Sequence, residues 1–170
     1  MALIMEVKGI APEFGGNCWL APNATVVGDV IMGKNCTVWF NAVIRGDVNE
    51  IRIGDDTNIQ DGVVIHCTYQ KAGTYIGNKV SIAHNAVVHG CTIFDNVLVG
   101  MGAIIMDGAI VNSGAVIAAG AVVLANTVVE SNSIYAGMPA KKVKEIGSEM
   151  TEVIVRTAKN YPMYSDWYKK

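Results

Sequence analysis

Charge is scarce in this chain. Only 16% of its 170 residues are Asp, Glu, Lys or Arg, the formal net charge is -2, and no basic patch gathers anywhere. Binding a phosphate backbone needs a concentrated positive surface, so nucleic acid is excluded as the main partner. Long apolar runs are missing as well. Hydrophobic residues make up 51% of the sequence, yet the richest stretch, residues 97–129, is broken every few positions by Gly, Asp or Asn. It lacks the ~18 uninterrupted apolar residues of a membrane span. Cys18, Cys36, Cys67 and Cys91 show no CxxC spacing, which argues against a disulfide framework and a cysteine zinc site and leaves buried or neutral thiols as the expectation. The opening, Met1 to Met5, is too short and lacks the basic flank of a secretory signal. A soluble, cytoplasmic, single-domain protein is expected.

What the sequence does have is an internal repeat. From Leu20 to Tyr135 an apolar residue returns every six positions: Leu20, Val26, Met32, Val38 and Ile44; then Ile53, Ile59 and Ile65; then Ile76, Ile82 and Val88. After a one-residue slip the series resumes at Ile93 and runs through Val99, Ile105, Val111, Ile117, Val123 and Val129 to Tyr135. Four positions after most of these stands something small, such as Ala24, Cys36, Ala42, Ala86, Ala103 or Ala109. A period of six matches neither a helix nor a simple alternating strand. It fits a short strand and a turn repeated as a solenoid.

Three hexads make one turn of a triangular coil, so nineteen hexads predict about six turns of stacked parallel strands, ~4.8 Å apart. The large residue at position one and the small one at position five point inward; the others point out. The first nineteen residues are expected to be a lead-in, with Trp19 plugging the open end. Extra residues between Ile44 and Ile53, and between Ile65 and Ile76, are expected to bulge from corners as loops. After the closing run Ala136 to Ala140, Ser148 reads as an N-cap. Met150, Val153, Ile154, Thr157 and Ala158 then follow at helical spacing, for a helix of about three turns. Residues 1–147 therefore form a β-helix domain with its lead-in, and residues 148–170 a C-terminal helix and aromatic tail packed on the same domain.

All three histidines fall within one 24-residue window in mid-coil. His66 follows Ile65 and His89 follows Val88, which puts both at outward second positions on one face, one turn apart. Stacked imidazoles can converge on a metal at ~2.1 Å. His84 lies on a different face. A neighbouring chain can supply it if three prisms pack about a threefold axis, which gives three shared sites with an open fourth position. Arg45 and Asp47, placed on the histidine face, can form a charge-assisted pair that locks such an interface. Gln60, with Asn58 two residues before it, can hydrogen-bond a metal-bound hydroxide.

The ordered set Arg45-Gly46-Asp47, Asn58-Ile59-Gln60, His66, His84 with His89, and the run Ala136 to Lys141 resembles the γ-class carbonic anhydrase family over nearly the whole chain. The resemblance implies a mostly β fold, a homotrimer of left-handed parallel β-helices, and zinc, or iron or cobalt, held by His66, His89 and the next subunit's counterpart of His84. It implies reversible hydration of carbon dioxide to bicarbonate by a metal-bound hydroxide, with Gln60 orienting it, Asn58 in support and Tyr135 lining the pocket. Val48 stands where the best-studied active members carry a proton-exporting glutamate, and an acidic loop is missing between His66 and His84; slow turnover is therefore expected. Two other functions compete: a hexapeptide acyltransferase or thioesterase acting on CoA thioesters, which needs one histidine as base and no metal, and a non-catalytic trimeric scaffold.

Overall fold

The structure is a computed structural model and describes residues 1–169. The hexads wind into a parallel β-solenoid of about seven turns, because each inward apolar residue can bury itself only against its equivalents one turn above and below. The first face stacks Trp19–Leu20, Thr37–Val38, Asn58–Ile59, Ser81–Ile82, Leu98–Val99, Val116–Ile117 and Ser133–Gly137. Antiparallel Ala140–Glu145 then caps it. The second face carries the first part of Thr25–Met32 and of Val43–Ile53, then Val64–His66, Val87–His89, Ile104–Ile105 and Val122–Val123. The third takes the second part of both long strands, then Thr74–Ile76, Thr92–Ile93, Ile110–Val111 and Val128–Val129.

The core is the stack of hexad positions one and five. Val26, Ile44, Ile65, Val88 and Ile105 have no solvent exposure, and neither have Ala24, Ala42, Ala86 and Ala103 beside them. Each buried Ile or Val contributes roughly 1.5–3 kcal/mol by leaving water. Corners are turned by residues in the left-handed region, where asparagine recurs: Asn35, Asn41, Asn85, Asn96, Asn126 and Asn132 all have φ between 50° and 60°.

Three expectations about the coil need correcting. The lead-in is itself a turn, since Leu3–Met5 and Glu13–Phe14 pair in parallel with Thr25–Met32; this is why about seven turns form and not six. Trp19 plugs nothing. It precedes inward Leu20, so it faces out and packs its ring 4.8 Å from Trp39 and 5.4 Å from Tyr168. The extra residues after Ile44 make no loop, because Val43–Ile53 is one continuous strand passing from the second face to the third, with a register shift opposite Gly28 and Val30. Only the insertion after Ile65 forms a loop, closed by a Thr68–Ala72 bridge.

The terminal helix is Ser148–Asp166, 19 residues and so about five turns, not three. It starts one residue earlier than read: Gly147 is the N-cap and no side chain caps it, so Ser148 is already helical. Ile154, Ala158 and Ser165 are its buried residues, and it packs on the first face against Thr37–Val38, Asn58–Ile59 and Ser81–Ile82. Tyr161 and Tyr164, read as tail, belong to this helix. No helix among the described residues is long and apolar enough to cross a membrane.

Candidate metal centre

Parallel pairing sets His66 directly beside His89, each ending a three-residue strand of the second face. Their rings are tilted, with centroids 5.2 Å apart, and His66 Nδ1 faces His89 Nε2 at 3.2 Å. Each ring is held from behind by a carboxylate. His66 Nε2 lies 3.1 Å from Asp47 Oδ1, and His89 Nδ1 lies 2.5 Å from Asp107 Oδ1. Asp47 also accepts from Arg45 Nη1 at 2.5 Å, and the Thr68 hydroxyl donates to the other oxygen of Asp107.

The two facing nitrogens fit a metal. Around a tetrahedral zinc with ~2.1 Å bonds, two ligand nitrogens stand about 3.4 Å apart, close to the spacing found here. Electrostatics favour the ligating form. Burial and then the Arg45 charge press the His66 pKa below its ordinary value, against the pull of Asp47, so His66 is a neutral imidazole at physiological pH. Burial would raise the Asp47 carboxyl, but hydrogen bonds from Arg45 and His66 outweigh it and hold the group below the usual range. Asp107 is lowered in the same way, burial being overcome by Thr68 and His89.

Within one chain the set stops at two histidines. Among the described residues, no three His, Cys, Asp or Glu side chains converge so as to hold an ion. His84 sits past the first face, where its Nδ1 lies 2.9 Å from Asp61 and its Nε2 3.4 Å from the Tyr161 hydroxyl. Gln60 and Asn58 are both buried and linked: Gln60 Nε2 donates to Asn58 Oδ1 at 3.1 Å, and Asn58 Nδ2 donates to Ser81 Oγ at 2.8 Å. That chain fixes which end of the Gln60 amide is turned inward.

Tyr135 is not part of this arrangement. It occupies hexad position one, is buried in the core at the C-terminal end of the coil, and its hydroxyl accepts from the Glu130 amide. The tyrosine that reaches a histidine is Tyr161, whose hydroxyl pKa is pushed up to about 12 by burial, then by the Asp61 charge and Tyr164, so it stays protonated. Tyr161, Asp61, Thr68 and Asp107 were all missed in the sequence. A signal existed for Asp107, which follows His89 by 18 residues, one full turn. Cys67 and Cys91 lie inside the coil, and burial raises both thiols, Cys91 to about 12, which makes them packing residues and poor nucleophiles.

The hexapeptide family described as bacterial transferase hexapeptide (six repeats) matches residues 12–46 and 90–125. Gamma carbonic anhydrase 2, mitochondrial, of Arabidopsis thaliana is 40% identical over 163 residues, 93% of this chain and 59% of its own length. Carbonic anhydrase of Geobacillus kaustophilus is 38% identical over 167 residues, 98% of this chain and 91% of its own. The chain belongs to the γ-class carbonic anhydrase family. It spans little more than half of the plant γ-class relative but nearly the whole of the bacterial carbonic anhydrase. A crystal structure of a hexapeptide transferase family protein from Anaplasma phagocytophilum superposes on this γ-class chain with TM-score 0.94, 36% identity and 98% coverage of both chains. Membership in the γ class implies a metal cofactor, and the facing nitrogens of His66 and His89 fit one.

Proposed function

We propose that the protein hydrates carbon dioxide reversibly to bicarbonate, as a cytoplasmic homotrimer whose zinc sites, or iron or cobalt sites, are shared between subunits. The observation that carries this reading is the converging His66 and His89 pair, each ring held by its own carboxylate, with His84 turned away on another face of the same chain. His84 would complete the site of a neighbouring molecule. Exposed Val64, Ile104, Met106 and Leu124 run along the face of the pair, an apolar column suited to a second prism. Arg45 is half exposed beside it and, paired with Asp47, would lock the contact.

A metal held there supplies the Lewis acidity that makes water nucleophilic near neutral pH. Gln60, steadied by Asn58, would orient the attacking water, and the protonated Tyr161 hydroxyl would stand beside it as a hydrogen-bond partner. Proton export is the weak point. Val48 packs partly buried against the core, and both Glu50 oxygens are engaged, one by Arg52 at 2.8 Å and one by Tyr75 at 2.6 Å. With Val48 next to Asp47 and both oxygens of Glu50 engaged, turnover is slow.

The test is metal content of anaerobically purified protein together with stopped-flow carbon dioxide hydration. About one metal per chain, with hydration lost in His89→Ala, is the expected result. Sharing is tested by co-assembling His84→Ala chains with His89→Ala chains. Neither alone would bind, whereas random mixed trimers restore about one site in four. Absence of metal after reconstitution would overturn the reading and move the assignment to acyl transfer on CoA thioesters. Metal without hydration would mean a scaffold or a different substrate.

A further inference from the structure

The Asp107 carboxylate is aimed at a ring nitrogen of His89, and the Thr68 hydroxyl, from a separate part of the chain, is aimed at that carboxylate. Asp107 stands one turn above His89 and receives its Nδ1–H at 2.5 Å, while Thr68 Oγ1 donates to the remaining oxygen. Thr68 comes from the insertion after Ile65, a loop pinned by its own bridge to Ala72 and by Asn49 Nδ2 on the Thr68 carbonyl at 3.3 Å. Gly90 clears the space. A β-carbon there would stand 2.8 Å from Asp107 Oδ1, and its φ of +56° is one that L side chains rarely adopt.

A neutral imidazole has a single ring lone pair and can present it from either nitrogen. An ionised carboxylate only accepts, so Asp107 fixes the proton of His89 on Nδ1 and leaves the lone pair on Nε2. Asp47 does the reverse for His66, leaving the lone pair on Nδ1. Those two lone pairs then confront each other at 3.2 Å, an arrangement that is repulsive until something positive lies between them. We propose that Asp107, anchored by Thr68 and given room by Gly90, is a positioning residue that fixes the tautomer and ring orientation of His89, so that the histidine pair is preset for a divalent cation. The inference rests on the metal-site reading above.

Its test is zinc affinity of the metal-free full-length protein, measured by competition with a chromophoric chelator, alongside the visible spectrum of the cobalt-loaded form. Asp107→Asn is expected to bind zinc about 10- to 100-fold more weakly and to alter the cobalt spectrum. Thr68→Val, which keeps the carboxylate but frees it, is expected to fall between that variant and wild type. Asp107→Glu recovers part of the loss. Thermal unfolding of the metal-free protein should move little in Thr68→Val, which separates ligand positioning from general stability. Wild-type affinity in Asp107→Asn overturns the proposal; should that variant not fold, wild-type affinity in Thr68→Val does so. A wild-type protein that takes up no zinc, cobalt or iron overturns the metal-site reading instead, so the two failures are told apart.

Discussion

At the scale of single residues, the thiol that differs from the rest is Cys18. It is half-buried at the N-terminal end of the coil, its thiol donating to the Gly33 carbonyl at 3.0 Å, and the neighbouring Cys36 thiol one turn away draws its pKa below the ordinary thiol value against the opposing effect of burial. Thiolate is the reactive form. Alkylation of Cys18 by iodoacetamide should therefore reach half its maximum at a lower pH than that of an ordinary thiol, and Cys36→Ala should shift that midpoint upward, as peptide mass mapping across a pH series would show. Folded-state labelling of Cys67 or Cys91 at neutral pH would contradict their burial. Residue identities were unevenly legible. His66 and His89 could be read because the six-residue count places both after an inward residue, and the sheet register does the rest. Tyr135 was misjudged although the same count puts it inward; its nearness in sequence to the closing run concealed that. Tyr161 could not be read at all, since its approach to His84 depends on where a helix docks, which no repeat encodes; Asp61 was legible, because the register that sets Ile82 on Ile59 puts it one turn below His84.

At the scale of elements, strands of two or three residues persist here only because corners recur at fixed intervals. A left-handed corner costs an ordinary L residue roughly 1–2 kcal/mol, a penalty that asparagine and glycine largely escape. Asn126, with φ of 60°, turns a corner one turn beyond Asp107, to whose carbonyl its amide donates at 2.9 Å. Asn126→Ala is expected to lower unfolding free energy by about 1 kcal/mol, and Asn126→Gly to be close to neutral, by urea titration. The coil was legible because burial of one residue in six is a strong periodic signal. Its irregular elements were not. Val43–Ile53 absorbs its extra residues by bulging within a strand that crosses from one face to the next, an outcome the residue count cannot distinguish from a loop. The helix was read too short because Pro162 and the aromatics after it resemble a tail, although docking on the first face carries the helix through them to Asp166.

At the scale of the whole molecule, the chain has an axis, and its functions are laid out along it. The histidine pair and both of its carboxylates fall on neighbouring turns of the second face, while Ile110 to Val129 only continues the stack beyond them. Each turn contacts little except the one before and the one after, so stability accumulates turn by turn. Duplicating the 18 residues Ile110–Thr127 in place should therefore give a folded protein one strand spacing longer, about 4.8 Å, with its zinc stoichiometry unchanged. Scattering dimensions and metal content would check this together, and loss of metal on lengthening would show that the far turns reach the site. The two ends of the axis differ. Ala140–Glu145 runs against the last strand and seals that edge, whereas Leu3–Met5 at the other end shows exposed apolar side chains. A coil finished at one end only has a direction of growth: new turns can be spliced into its length, but the molecule stops where its one reversed strand says stop.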